Sequence, residues 1–218
     1  MTTQWSCFLF DLDGTIIDSA PGITASLAWT FERLGRPIPS PSELLAYVGP
    51  PILDSFRDLA GMTVREAHQA LEVYRPHYLQ TGIFNSSVYP GVPALLKRIH
   101  ESRVPISLAT SKPELPATTA LDFYSLAHYF TVITGASEDE VRSRKADVVA
   151  EALRRLSVLG VDTSRPVMVG DREHDVHGAA EHGVPTIFVE WGYGSVAEQS
   201  DTIGVAATAE KLGTLLFG

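Results

Sequence analysis

The chain of 218 residues contains a single cysteine, Cys7. A disulfide within the chain is therefore impossible, and no thiolate metal site can be assembled. Cys7 lies inside an apolar run, where it reads as a small buried hydrophobe. Positive charge is also short: 17 Lys and Arg stand against 26 Asp and Glu, a net charge of −9. That balance argues against general binding to nucleic acid or to an anionic membrane. It still permits an anionic ligand, provided that a cation and one or two lysines make a local positive pocket. Long apolar runs are missing, so no segment reaches transmembrane length. The opening MTTQWSCFLF has no basic residue ahead of its apolar run, so it does not read as a signal peptide, and a cytoplasmic location is expected. Internal repeats and low-complexity tracts are absent too.

What is present is the composition of a soluble globular protein, with 44% apolar and 20% charged residues. The length suits one large or two small domains. The run Cys7 to Phe10 reads as a buried strand and leads straight into Asp11, Leu12, Asp13, Gly14 and Thr15. Helices are predicted over 21–34, over a short stretch ending near Gly49, over 51–60, and from Thr63 to about Gln80. Ser40 with Glu43 and Thr63 with Glu66 form capping-box patterns, whereas Pro76 threatens to kink or end the last of these helices early.

From Val88 the character changes. Helices at 92–102, 114–124, 144–157, 173–181 and 208–216 alternate with strands at 104–109, 130–133, 166–170 and 185–189. Such alternation predicts an α/β fold with a parallel sheet covered on both faces. The expected organisation is a core of residues 1–16 plus 88–218, interrupted by an all-helical insertion of residues 17–87.

Four polar groups stand where a parallel sheet presents residues to a ligand. They are Asp11 with Asp13, Thr110-Ser111-Lys112 after VPISLA, Lys145 ahead of a helix, and Gly170-Asp171 with Asp175 after PVMV. Together they are the parts of a phosphoryl-transfer site. A carboxylate can attack phosphorus, and a bound Mg²⁺ offsets the repulsion between them. A hydroxyl and a lysine can hold phosphoryl oxygens, and a second carboxylate can move protons.

On these residues the chain resembles the haloacid dehalogenase superfamily in its phosphatase branch. It is similar to phosphoglycolate phosphatase-like proteins with a helical cap inserted after the first motif. DxDGT stands whole at Asp11 to Thr15, the apolar strand ending in Ser or Thr at Thr110, the lysine at Lys145, and GDxxxD at Gly170, Asp171 and Asp175. The resemblance implies a Rossmann-like core and a Mg²⁺-dependent phosphatase acting on a small phosphorylated metabolite, as a monomer or weak homodimer. It implies Asp11 as nucleophile and metal ligand, and Asp13 as acid/base with its carbonyl on the metal. Thr110, Ser111 and Lys145 would hold phosphate, and Asp171 and Asp175 would join the metal site. The order of motifs favours Lys145, but Lys112 competes for the same role. Lys112, Gly49 and Arg57 are candidate substrate contacts. The loop Trp191 to Gly194 reads as aromatic packing under a Gly-rich turn. His174 and His177 read as solvated or capping residues rather than metal ligands.

Overall fold

A computed structural model describes residues 3–218. Its centre is a six-stranded parallel sheet built from β1 (Cys7–Phe10), β4 (Ile106–Pro113), β5 (Val132–Ala136), β6 (Pro166–Gly170), β7 (Thr186–Val189) and β8 (Gly204–Ala206). The strand order is β5-β4-β1-β6-β7-β8. Phe8 aligns with Ile106 on one side and Val167 on the other. The chain builds outward from β1 in one direction through β4 and β5, then in the other through β6 to β8. That reversal makes the carboxyl ends of β1, β4 and β6 the crevice where open α/β sheets bind ligands.

Alternation along β1 sorts its side chains between two layers. Phe8 and Phe10 face a cluster containing Leu96 and Ile99 of α5 (Val92–Ser102) and Leu212 and Leu216 of α9 (Ala209–Phe217). Cys7 and Leu9 face Val148, Val149, Ala152 and Leu156 of α7 (Lys145–Val158) and Ala179 of α8 (Glu173–Ala180). The fifth core helix is α6 (Glu114–Phe123). This is the expected Rossmann-like α/β core with helices on both faces.

Between β1 and α5 lie α1 (Ala20–Arg33), α2 (Pro41–Leu45), α3 (Ile52–Asp58) and α4 (Val64–Gln80). Both capping boxes form, with Ser40 accepting from the Glu43 N–H and Thr63 from that of Glu66. Pro76 sits inside α4 without ending it; the helix continues to Gln80, with Tyr74 and Tyr78 buried on either side of the proline. Rings of Phe31, Tyr47, Phe56 and Tyr74 pack edge to face at centroid distances of 6.1–6.3 Å and make the centre of this helical group.

Three features depart from the sequence expectation. The insertion is not wholly helical, because β2 (Ile17–Asp18) pairs antiparallel with β3 (Ser87–Val88) where the chain leaves and rejoins the core. β8 adds a short sixth strand to the sheet. β4 runs on to Pro113, so Thr110, Ser111 and Lys112 lie within its irregular end, where the pairing with β5 shifts register.

Candidate active site

The backbone N–H of Asp11 donates to the Val169 carbonyl at 2.9 Å, so sheet pairing extends one residue beyond β1 and fixes where this carboxylate emerges. The chain then turns at once. Leu12 O accepts from the N–H groups of Thr15, Ile16 and Ile17, and Gly14 takes φ +87°. Glycine is needed here for space as well as conformation, since a Cβ would stand 2.2 Å from Asp171 Oδ2.

Three sheet ends converge on this turn. Asp11, Asp171 and Asp175 bring carboxylate oxygens within 4.8 Å of one another, all of them buried. Lys145, at the start of α7, reaches in to place its Nζ 2.7 Å from Asp11 and 2.8 Å from Asp175, and donates to the Ala109 carbonyl at 3.0 Å. Burial pushes the Asp11 carboxyl up to about 6, with Lys145 opposing and Asp175 and Asp13 adding to the rise. Burial, reinforced by Asp175 and Asp11, holds Asp171 well above the carboxylate range. Lys145 goes the other way to an ordinary buried lysine: burial disfavours its charge, but Asp11 and Asp175 outweigh that and raise it. Three crowded acids with one shared lysine are a centre short of positive charge. An all-oxygen carboxylate set of this kind suits a hard divalent cation.

Asp13 stands apart from that cluster. Lys112 Nζ donates to both of its carboxylate oxygens, at 3.0 and 2.9 Å, and lies 4.6 Å from the centroid of the Tyr78 ring. The two lysines are thus divided, Lys145 on Asp11 and Lys112 on Asp13. Sequence order could not make that division. Thr110 and Ser111 are buried at the end of β4, and the Thr110 hydroxyl accepts from the Lys112 N–H at 3.2 Å.

Other residues contribute whose part was not among the expected site roles. Thr15 donates its hydroxyl to Asp171 at 3.0 Å. The loop after β7 does more than pack: the Tyr193 N–H donates to Asp171 at 2.8 Å, and a Cβ on Gly192 would stand 2.3 Å from the same carboxylate. The Tyr193 hydroxyl accepts from the N–H groups of Ser19 and Ala20 at 2.8 and 2.9 Å and donates to Asp18 at 2.9 Å. Arg172 donates to the Val48 carbonyl at 2.8 Å and to Glu198 at 2.9 Å. The signal for the Tyr193 loop was present, since WGYG follows β7 just as the other motifs follow their strands.

A cavity of about 230 Å³ opens beside Asp13, Ser111 and Lys112 and is walled on the far side by the helical group, Gly49 included. Arg57 lies off this wall. It is exposed on α3, facing Asp54 at 3.7 Å. His174 and His177 lie outside the acidic cluster and line a separate cleft. Among the described residues, no helix is long and apolar enough to cross a membrane.

The haloacid dehalogenase-like hydrolase family matches residues 8–189. The tyrosine-protein kinase PtkA of Mycobacterium tuberculosis is 39% identical over 208 residues, 94% of this chain and 70% of that protein. A 5'-nucleotidase of Pseudomonas aeruginosa is 34% identical over 190 residues, 87% of this chain and 85% of the nucleotidase. A phosphoglycolate phosphatase of Pseudomonas savastanoi is 33% identical over 192 residues, 85% of this chain and 69% of the phosphatase. The crystal structure of a predicted phosphatase from Clostridium acetobutylicum superposes with a TM-score of 0.90 at 33% identity, covering 97% of each chain. The match spans Asp11, Thr110 and Asp171 at the sheet ends and Lys145 at the start of α7, and the chain belongs to the haloacid dehalogenase-like hydrolase family, in its phosphatase branch.

Proposed function

We propose that the protein is a magnesium-dependent phosphatase that hydrolyses a small phosphomonoester through an aspartyl-phosphate on Asp11. The observation that carries this reading is the setting of Asp11, a buried strand-end carboxylate with Lys145 at 2.7 Å on one oxygen and two further acids beside it. Asp11, Asp171 and Asp175 would hold the magnesium ion, joined by the Asp13 backbone carbonyl. When bound, the ion supplies positive charge beside the transferring phosphoryl group.

In the first half-reaction an Asp11 oxygen bonds to phosphorus and the bond from phosphorus to the leaving oxygen breaks. That oxygen takes a proton from Asp13. In the second half, a water oxygen bonds to phosphorus and the bond to Asp11 breaks. Asp13 recovers a proton from the water, and the products are an alcohol and inorganic phosphate. Lys145, Thr110 and Ser111 hold phosphoryl oxygens as charge redistributes. Lys112 fixes the Asp13 carboxylate and offsets its charge while the proton is away.

Residues 17–87 act as a cap over the core of residues 1–16 and 88–218, closing to exclude water. Contacts across the two parts support this. Arg172 holds the Val48 carbonyl, and Arg75 of α4 pairs with Glu140 and donates to the Glu138 carbonyl at 3.2 Å. The short β2–β3 ribbon is where the parts would hinge.

The test is phosphate release from a metabolite panel, including phosphoglycolate, with and without magnesium. Release that needs magnesium, a hydroxylamine-sensitive phosphoenzyme, and loss of both in Asp11→Asn are the expected results. Undiminished turnover by Asp11→Asn would overturn the assignment. A second reading, phosphotransfer to a hydroxyl other than water, is favoured by the 39% identity to a tyrosine-protein kinase. A phosphorylated acceptor in place of free phosphate would select it.

A further inference from the structure

We infer that the leaving group is an uncharged aryl group, so that the substrate is an aryl phosphomonoester rather than one carrying a second anionic group. This rests on the proposed phosphatase reading and narrows it. The cavity beside Asp13 adjoins the oxygen that must leave, and its walls decide what can be attached to that oxygen.

Those walls are apolar and aromatic. Ile23, Tyr74, Tyr78 and Leu79 come from the helical group, and Leu115 and Pro116 from α6. Tyr74 and Tyr78 stack at 5.4 Å with an 8° angle between their planes. Both are buried, and both line the cavity. An aromatic guest gains from apolar burial and from ring contacts of this kind.

Charge gives the same answer. Two cations lie on the wall, and both are committed. Lys112 donates to both oxygens of Asp13 and lies over Tyr78, and Arg75 is held by Glu140 and the Glu138 carbonyl. Glu138 and Asp13 also line the space. A carboxylate on the leaving group would therefore meet the Glu138 carboxylate and, with Lys112 on Asp13 and Arg75 on Glu140, no uncommitted cation among the described residues. Desolvating it there is unfavourable, whereas an uncharged ring incurs no such penalty.

Size sets the scale. A cavity of roughly 150 Å³ lined by apolar side chains accepts benzene. At about 230 Å³ this one takes a substituted ring, with room for a hydroxyl or amine near Glu138.

Binding decides the matter, because a phenol leaves more readily than an aliphatic alcohol and would raise turnover regardless of fit. The probes are phenylphosphonate, phosphonoacetate and a nucleoside 5'-monophosphate, titrated calorimetrically into the magnesium-loaded protein. Phenylphosphonate is expected to bind at least ~10-fold more tightly than phosphonoacetate, the scale of one buried ring. Leu115→Arg, at a half-exposed position on α6, places an uncommitted cation at the cavity and should leave the fold intact. It is expected to reverse or narrow that preference at least ~5-fold. Equal or tighter binding of phosphonoacetate by the unaltered protein overturns the inference, as does tighter binding of the nucleotide. Failure of the phosphatase reading looks different: the aryl preference persists while no ester releases phosphate.

Discussion

The catalytic centre and the cavity beside it are built to opposite rules. At the sheet ends, Asp11, Asp13, Asp171 and Asp175 are buried acids, each tied to a lysine, a hydroxyl or a backbone N–H. In the adjoining cavity, the wall supplied by the helical group is chiefly tyrosine, isoleucine and leucine, and its one charge, Arg75, is paired with Glu140. The difference assigns two tasks to two stretches of chain. On the proposed reading, the core sets up a reaction that needs charge held in fixed places, and the insertion would choose what is attached by excluding charge.

Substitutions at the centre should abolish chemistry with little change in selectivity, and the sharpest case is Asp11→Asn. Turnover is expected to fall ~10³-fold or more on every ester tested. Circular dichroism should be unchanged, because the amide keeps the carboxylate's shape and relieves acid crowding. A residual activity whose substrate ranking differs from that of the native protein would break the division of tasks.

Lys145→Met comes next. It strands Asp11 and Asp175 without their shared cation, and breaking a buried pair in this way costs about 3–5 kcal/mol. The expected result is a marked loss of thermal stability that added magnesium partly restores, since a bound cation stabilises the folded state by mass action. Differential scanning calorimetry with and without magnesium reads both effects. Equal instability in the two conditions would mean that the acids do not share a cation site.

The same division explains what was legible from the sequence. Asp11, Thr110 and Asp171 were legible because each ends a short apolar run, and a parallel sheet delivers such ends to one place. α2 and α4 were legible through their capping boxes. The two-residue strands β2 and β3 were not, because so short a segment has no periodicity. Neither was the partition of the lysines, since Lys145 meets Asp11 across 134 positions of sequence and Lys112 meets Asp13 across 99. The place of Arg57, off the cavity wall, was not legible for a related reason. Helix α3 is short, and which of its faces turns to the cavity depends on packing against α4, not on the sequence of α3 alone.

Tyr193→Phe tests the seam between the two regions. The hydroxyl accepts from Ser19 and Ala20 N–H groups at the start of α1, while the Tyr193 backbone N–H holds Asp171. Removing only the hydroxyl leaves two partly buried donors short of a partner, a loss of about 1–3 kcal/mol. Thermal stability should fall accordingly. KM should change more than kcat, because the backbone bond to Asp171 survives. A fall in kcat with KM unchanged would place the hydroxyl in the chemistry itself.

The smallest effect is expected from pH acting on Glu198, which anchors Arg172, the residue that reaches across to Val48. Burial favours its neutral form, but the Glu173 N–H, the Arg172 guanidinium and the Ser195 N–H outweigh burial and hold the carboxyl down at about 2. An acid whose folded value lies below its unfolded value of about 4.3 binds fewer protons when folded. Its contribution to stability is therefore complete above about pH 4.5 and is lost as pH falls towards 2. Glu198→Gln should reduce the slope of the stability profile within that window, leaving the share of Glu151, which Arg154 and Arg155 also hold at about 2, and leave the profile unchanged near neutrality apart from a constant offset. If the acid limb is undiminished in the variant, the linkage lies wholly with other carboxylates such as Glu151. The bridge from Arg172 to the helical group would then not depend on the ionisation of Glu198.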